Sequence, residues 1–314
     1  MSVLGERRRS YRLEPRELWC ALLFFALALF SVLWPNTGSL AIGGAILPRG
    51  YLVAAFLAAS GLGVLLLGTR DFSTAPRLVR FVRCFYPQAY YAPLFLESIV
   101  LSGQAMGGRI HDPFFAGIDL AVFGFQPARE LSAALGRYPW CNELAFAAYF
   151  LFYFMLILTP WIPFFRGDEA EAERESSIFS GFMLLSFVFY VFFRVVGPKH
   201  YLPDLAAAGY GWMRGGLFTR LEGGILSKAV TTGAAFPSSH VAISLMMCLF
   251  AARTERRLLW LYVPLFLLIS ASTVYIYAHW AVDVAGGVLV GLVLVPILSA
   301  LHERLAGRSQ AARA

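Results

Sequence analysis

Two short stretches of the chain place an imidazole beside groups that suit it for work on an anion. In Phe236-Pro237-Ser238-Ser239-His240 a proline and two serines stand directly ahead of an apolar run that begins at Val241. Proline and serine at that position signal a helix start. The first N–H groups of such a helix have no partner within it, and with the positive end of the helix dipole they favour a phosphate. The serine hydroxyls of Ser238 and Ser239 add donors, and His240 stands next to them. In His279-Trp280-Ala281-Val282-Asp283 a histidine and an aspartate are spaced i and i+4, with Gly286 and Gly287 following. That spacing puts both side chains on one helical face. A carboxylate on one ring nitrogen selects the tautomer and raises the basicity of the other nitrogen, as a nucleophile or base requires. A third cluster, Gly197-Pro198-Lys199-His200-Tyr201-Leu202-Pro203-Asp204, brings a lysine and a histidine, and Arg194 lies one turn before it. Lys199 and Arg194 are candidate phosphate-holding cations, and Arg214, Arg220 and Lys228 add positive charge further along.

The elements that must position these residues are membrane helices. Of 314 residues, 59% are hydrophobic and 14% charged, and the mean hydropathy is +0.65, too apolar for a soluble domain of this length. Eight runs are candidate crossings of the ~30 Å hydrocarbon layer. They lie near Leu18–Trp34, Tyr51–Gly68, Ala89–Leu101, Leu144–Phe165, Ile178–Val196, Val241–Ala252, Leu258–Tyr275 and Val284–Leu301, the third and sixth being short or interrupted. The expected fold is an all-α polytopic bundle of about eight transmembrane helices.

Charge orients it. With the N-terminus inside, 17 of the 26 Lys and Arg residues fall inside and 9 outside, and the inner ones crowd short loops. The inner set includes Arg7, Arg8, Arg9, Arg12 and Arg16, then Arg70, Arg77, Arg80 and Arg83, then Arg253, Arg256 and Arg257, then Arg304 and Arg308. Both termini are therefore expected in the cytoplasm, and His111, His200, His240 and His279 on the outer side, with a bacterial inner membrane the simplest setting. The net charge of +7 follows membrane topology and forms no separate basic domain, so no nucleic-acid partner is expected. The first run ends at Trp34-Pro35-Asn36, without the small-residue cleavage site of a signal peptide. Two long segments, about 102–142 and 197–239, are left outside. In the first, Phe114, Phe115, Ile118, Val122 and Phe125 recur at roughly helical spacing around Asp112, Asp119 and Arg129, which predicts an interfacial helix. The acidic stretch Asp168–Glu175 reads as a solvated inner connection. Cys20, Cys84, Cys141 and Cys248 have neither CxxC nor metal-ligand spacing and read as packing residues.

The ordered motifs resemble the type 2 phosphatidic acid phosphatase superfamily, whose pattern is a basic motif, then Pro-Ser-x-His, then Ser-Arg-x5-His-x3-Asp. Pro237-Ser238-Ser239-His240 is similar to the middle motif, and Ser272-Thr273 with His279 and Asp283 is similar to the last. Thr273 stands where the family has arginine, and Lys199 where the basic motif would carry one. Ala235-Phe236-Pro237-Ser238, Ser272-Thr273-Val274-Tyr275, Asp112-Pro113, Asp119 and Phe123-Gly124 resemble the inositol phosphorylceramide synthase branch, which transfers a headgroup phosphate to a lipid alcohol. The resemblance implies a six-helix core over 80–303, two extra helices and a basic N-terminus over 1–79, and a cytoplasmic tail over 304–314. It also implies that His279 attacks phosphorus and becomes a phosphohistidine, that Asp283 orients it, and that His240 protonates the leaving alcohol. Ser238, the Ser239 N–H and Lys199 would hold the transferring oxygens, with Arg194, His200 and Thr273 as further substrate-binding candidates. The scheme needs no metal and no cofactor. Its partners are a lipid phosphate and the bilayer, and the oligomeric state is left open.

Water would complete a phosphatase cycle and a lipid alcohol a transferase cycle. A polyprenyl diphosphate is a further substrate class, because it too is a phosphate on a long apolar tail. A transporter is the rival from another class, with Glu97, Arg194 and the kink residues Pro87, Pro93 and Pro160 along its path. It calls for an internal repeat between halves, which this sequence lacks.

Overall fold

The computed structural model describes residues 13–34, 39–42, 45–228 and 232–311. Arg7, Arg8, Arg9 and Arg12 of the expected basic N-terminus, and the end of the expected tail, lie outside the described residues. Helix α1 (Pro15–Leu33) is followed by two short antiparallel strands, β1 (Ser39–Ile42) and β2 (Ala45–Pro48), and by α2 (Arg49–Gly68). Then come α3 (Arg77–Ala105), α4 (Asp112–Phe123), α5 (Pro127–Leu135), α6 (Pro139–Leu158) and α7 (Trp161–Phe165). The second half contains α8 (Glu169–Phe192), two short helices α9 (Pro198–Tyr201) and α10 (Pro203–Ala208), α11 (Leu217–Lys228), α12 (Ser239–Thr254), α13 (Leu259–Tyr275) and α14 (Ala281–Ala311). Apart from the hairpin and isolated bridges from Val195 to Gly233 and Ala234, the regular elements of the described residues are helices.

Six of these helices, α1, α2, α6, α8, α13 and α14, are long and apolar enough to cross a membrane, and the protein is an integral membrane protein. The other two expected crossings differ for physical reasons. Helix α3 has 29 residues and runs from Arg83, beside Glu17, to Ser102, beside Gly233 at the other end of the bundle, but Gln88, Glu97, Pro87 and Pro93 keep it less apolar than the other six. Helix α12 has 16 residues, about 24 Å at 1.5 Å each, short of the hydrocarbon thickness. It buries Val241, Ala242, Ile243, Met246, Met247, Cys248, Phe250 and Ala251 all round its axis, so it is a central helix sheathed by others.

One apolar core joins α1 through Leu23, Phe24 and Leu27 to α8 through Phe179, Phe182 and Phe187, and onward to Met246 and Met247 of α12. The N-terminal helix is thus packed into the bundle, and the expected boundaries at 79 and 303 fall inside α3 and α14. All four cysteines are buried and free.

The acidic stretch Asp168–Glu175 is not a solvated connection. Asp168 caps α8 by accepting the Glu171 N–H at 3.0 Å, and the following residues are the first turns of that helix. Glu173 pairs with Arg16 of α1, Arg16 also meets Glu17 at 2.9 Å, and Arg83 of α3 reaches Glu17 at 3.0 Å. Arg16 and Glu17 are buried. A buried charge that lost its partner would cost several kcal/mol, so this cluster pins α1, α3 and α8 in one register. Acidic side chains in the first turn of α8 also face the positive end of its dipole.

Candidate active site

Both histidine motifs and the Lys199 loop converge at one end of the bundle: the C-terminal ends of α8 and α13 and the N-terminal ends of α12 and α14. The Arg70–Arg83 stretch, Arg166 and Arg253–Arg257 lie at the opposite ends of the helices they adjoin. A cavity of about 190 Å³ opens there, lined by Lys199, His200, Ser239, His240 and His279, with Phe95, Ile99, Tyr149 and Tyr153 as an apolar wall.

His279 is held by its backbone turn and by one ring nitrogen. The Thr273 carbonyl accepts the Ala278 and His279 N–H groups at 3.0 Å each, which closes α13 into the turn. Tyr277 sits in that turn at φ +46, a strained conformation for a side chain with a Cβ. Its ring stacks on Tyr210 at 4.9 Å, its hydroxyl donates to the Gly209 carbonyl, and its own carbonyl accepts the Lys199 N–H at 2.9 Å. The His279 ring is buried, with Nδ1 2.7 Å from the Ala235 carbonyl and 3.5 Å from Asp283 Oδ2. A carbonyl only accepts, so Nδ1 carries the proton and Nε2 keeps its lone pair.

This sharpens the expected His–Asp pairing. The short partner of His279 is the Ala235 carbonyl. Asp283 is a second, longer one that accepts the Trp280 N–H at 2.8 Å and keeps Oδ1 buried without a hydrogen-bond partner among the described residues. Alternating backbone bonds between Val195 and the 233–235 strip (Val195 N–H to the Gly233 carbonyl at 3.4 Å, Ala235 N–H to the Val195 carbonyl at 2.9 Å) place that carbonyl.

His240 lies across the cavity, its ring 5.9 Å from that of His279. Tyr149 at 4.3 Å and Phe152 at 4.4 Å clamp it, and neither of its buried ring nitrogens has a hydrogen-bond partner among the described residues. Its helix start is fixed from two sides: Ser238 N–H donates to the Asp283 carbonyl at 3.1 Å, and the Tyr190 hydroxyl donates to the Pro237 carbonyl at 2.9 Å. No described protein acceptor takes the next three N–H groups, those of Ser239, His240 and Val241. At α14 the corresponding groups are taken, because Asp119 of α4 accepts the Ala281 and Val282 N–H groups at 2.8 and 3.0 Å. Of the two helix starts, only that of α12 is open to an anion.

Lys199 lines the cavity with its ammonium 4.8 Å from the Tyr210 ring centre and 2.5 Å from the Leu226 carbonyl it donates to. Burial pushes the Lys199 ammonium below its ordinary pKa, and burial together with Lys199 pushes His200 down as well. Its loop needs Gly197, which adopts φ +83 and lies so close to the His279 turn that a Cβ there would meet the Ala278 carbonyl at 2.4 Å.

Three predicted substrate-binding residues are not among those lining the cavity. Ser238 keeps its hydroxyl buried without a hydrogen-bond partner among the described residues, and it is Ser239 that faces the cavity. Thr273 turns its hydroxyl back to the Ser270 carbonyl at 2.8 Å, so its carbonyl, not its side chain, serves the site. Arg194 packs behind Gly233, where a Cβ would meet Arg194 Nε at 3.3 Å and Ser102 Oγ at 3.6 Å. Glu97, which a transport path would need, is engaged by the Ser31 hydroxyl at 3.3 Å.

Asp112 and Asp119, which the sequence places in an interfacial helix without assigning them to the site, are held against it by the structure. Helix α4 buries Asp112, Phe115, Ala116 and Asp119 on one face and exposes Phe114, Leu120, Val122 and Phe123 on the other, an inside-out pattern for a soluble protein. Asp112 accepts Val196 and Gly197 N–H groups at 2.8 Å each and the Trp280 indole N–H at 3.1 Å. Their i, i+7 spacing puts both on one face of the helix, a signal that the apolar residues between them mask.

A family model described as the PAP2 superfamily matches residues 118–297, more than half of the chain, from the middle of α4 into α14. Neither a curated protein nor a solved structure matches. The match supports an enzyme of the lipid-phosphatase type.

Proposed function

Because the chain belongs to the PAP2 superfamily, we propose that it cleaves a lipid phosphate ester by way of a phosphohistidine on His279, passing the phosphoryl group to water or to a lipid alcohol. The observation that carries this reading is the Nδ1 contact of His279 with the Ala235 carbonyl, which leaves Nε2 as a free lone pair facing a cavity shared with His240.

In the first step His279 Nε2 attacks phosphorus and the bond from phosphorus to the leaving alkoxide breaks. His240, whose buried ring nitrogens have no hydrogen-bond partner among the described residues, takes the proton that a monoanionic phosphate ester carries into the cavity and passes it to that alkoxide. The imidazole gains positive charge as the N–P bond forms, and the Ala235 carbonyl and Asp283 carboxylate stabilise it. The free N–H groups at the start of α12, the Ser239 hydroxyl and Lys199 face the equatorial oxygens. In the second step neutral His240 takes the proton of the incoming hydroxyl, which attacks phosphorus and releases His279. The wall of Phe95, Ile99, Tyr149 and Tyr153 suits the apolar end of a lipid phosphate. The excess of Lys and Arg at the opposite ends of the helices supports an outward-facing site with both termini in the cytoplasm, and the exposed apolar face of α4 suits the membrane interface.

The apolar wall beside the histidines gives a lipid alcohol somewhere to lie, which favours headgroup transfer as the second reading; a polyprenyl diphosphate is a substrate class within the first. Purified protein in detergent, offered phosphatidic acid, a polyprenyl diphosphate and inositol phospholipids with and without diacylglycerol or ceramide, is expected to release phosphate or form a new headgroup lipid, read by mass spectrometry. His279→Ala is expected to abolish both products and the acid-labile phosphoenzyme. Full activity in that variant refutes the mechanism.

A further inference from the structure

We infer that Asp112 and Asp119 are positioning residues for the reaction, two buried carboxylates on one face of α4 that hold the Lys199 loop and the His279 turn in register. The two loops are far apart in sequence and are joined directly by the backbone bond from the Lys199 N–H to the Tyr277 carbonyl at 2.9 Å, and α4 adds a second tie. Asp119 grips only the His279 side, through the Ala281 and Val282 N–H groups at 2.8 and 3.0 Å. Asp112 grips both sides at once: Val196 and Gly197 through their N–H groups at 2.8 Å, and Trp280, the residue after His279, through its indole N–H at 3.1 Å. Both carboxylates are fully buried, so each accepts these bonds where water does not compete.

The chemistry explains why carboxylates do this. Five N–H donors face α4 and none has a backbone acceptor among the described residues, so the groups opposite them must accept, which carboxylate oxygens do. A negative charge at the start of α14 also neutralises a helix terminus that would otherwise compete with α12 for the phosphate. The anion is thereby directed to Ser239 and His240, across from His279. Neither aspartate lines the cavity, so each acts through the loops and not on the substrate.

Asp119→Asn and Asp112→Asn test this, since the amide keeps the shape but sets an NH2 against an N–H donor. Trp280→Phe removes the indole N–H while leaving both carboxylates. The kinetic arm rests on the phosphoryl-transfer reading; the amide-exchange arm does not. Asp119→Asn is expected to lower kcat about 10- to 100-fold with KM changed less than about threefold, and to speed amide exchange at residues 281–282 while 196–197 stay protected. Asp112→Asn is expected to change KM and kcat together and to speed exchange at 196–197. Trp280→Phe is expected to lower kcat with exchange at 196–197 less affected. Unchanged exchange at the named amides overturns the inference whether or not any lipid phosphate is turned over. So does wild-type kcat per folded molecule in Asp119→Asn, or equal proportional changes in KM and kcat in that variant. Absence of turnover in the unaltered protein, with the exchange pattern as expected, counts against the proposed function and leaves the positioning intact.

Discussion

Replacing Gly287 by alanine probes a close approach between α12, which carries His240, and α14, which follows the His279 turn. A Cβ on Gly287 would stand 2.6 Å from the Ser238 carbonyl oxygen and 2.9 Å from Val241 Cβ, whereas ordinary contacts begin at 3.4 Å. Both partners are backbone or Cβ atoms, so no rotamer change relieves the clash, and α12 and α14 must part by roughly 0.8 Å, the shortfall from 2.6 to 3.4 Å. The Ser238 carbonyl accepts the first hydrogen bond of α12 and the Ser238 N–H is tied to the Asp283 carbonyl at 3.1 Å, so the displacement falls directly on His240 relative to His279. Overpacking of this kind costs about 1–3 kcal/mol of stability. A shift approaching 1 Å between reacting groups costs about 100-fold in rate. The expected result is a kcat lowered about 10- to 100-fold with KM little changed, measured by steady-state phosphate release in detergent beside a thermal-unfolding curve. Gly291→Ala, one turn further along the same interface, is the control. Its Cβ would meet Leu245 Cδ2 at 3.1 Å, a methyl that can swing aside, and the Ala242 carbonyl at 3.2 Å. Its kcat should stay within about threefold of the parent. Wild-type kcat in Gly287→Ala, or an equal loss in Gly291→Ala, would refute the claim that helix separation at this glycine sets the histidine geometry.

Glu222 on α11 is fully buried with neither carboxylate oxygen partnered among the described residues, and burial raises its pKa to about 7. Its folded pKa exceeds the unfolded value, so the fold favours the neutral acid: the Glu222 contribution to stability is fully present below about pH 4 and is lost as pH rises to and through about 7, by about 3 kcal/mol in all. Glu222→Gln should flatten the fall in Tm between pH 5 and 8, and parallel curves for the two proteins would count against it. Lys199→Gln should lower kcat/KM about 10- to 100-fold, the worth of a hydrogen bond from a charged group. Because the Lys199 pKa is depressed, the parent should lose kcat/KM at alkaline pH earlier than an ordinary lysine would allow, and Lys199→Arg should lack that limb. The same alkaline limb in all three proteins would remove Lys199 from the site.

The inside-out helix α4 shows where local pattern stops being informative. Phe114 and Val122 have the spacing of an apolar face, and the sequence puts a helix there, but which face turns inward depends on whether lipid or water lies outside. In this fold the apolar face is exposed and the two aspartates are buried, since five backbone and indole donors await them. The acidic stretch at 168–175 is opaque for a different reason: Arg16, the partner of Glu173, lies 157 residues away in sequence, beyond the reach of any local pattern. Thr273 illustrates the converse, a motif position whose side chain turns away while its carbonyl closes the turn before His279.

The sequence by itself determined the membrane class, the places where helices form and the pairing of two histidine motifs, because hydropathy, helix starts and i, i+4 spacing act over a few residues. Only the tertiary structure decided that α12 is a short central helix, that Ala235 rather than Asp283 is the nearest partner of His279, and that Ser239 rather than Ser238 meets the cavity. Those outcomes depend on backbone carbonyls and on contacts between segments up to 168 residues apart, as in the bond from Trp280 to Asp112. Carbonyl groups are common to every residue and so leave no mark in the sequence.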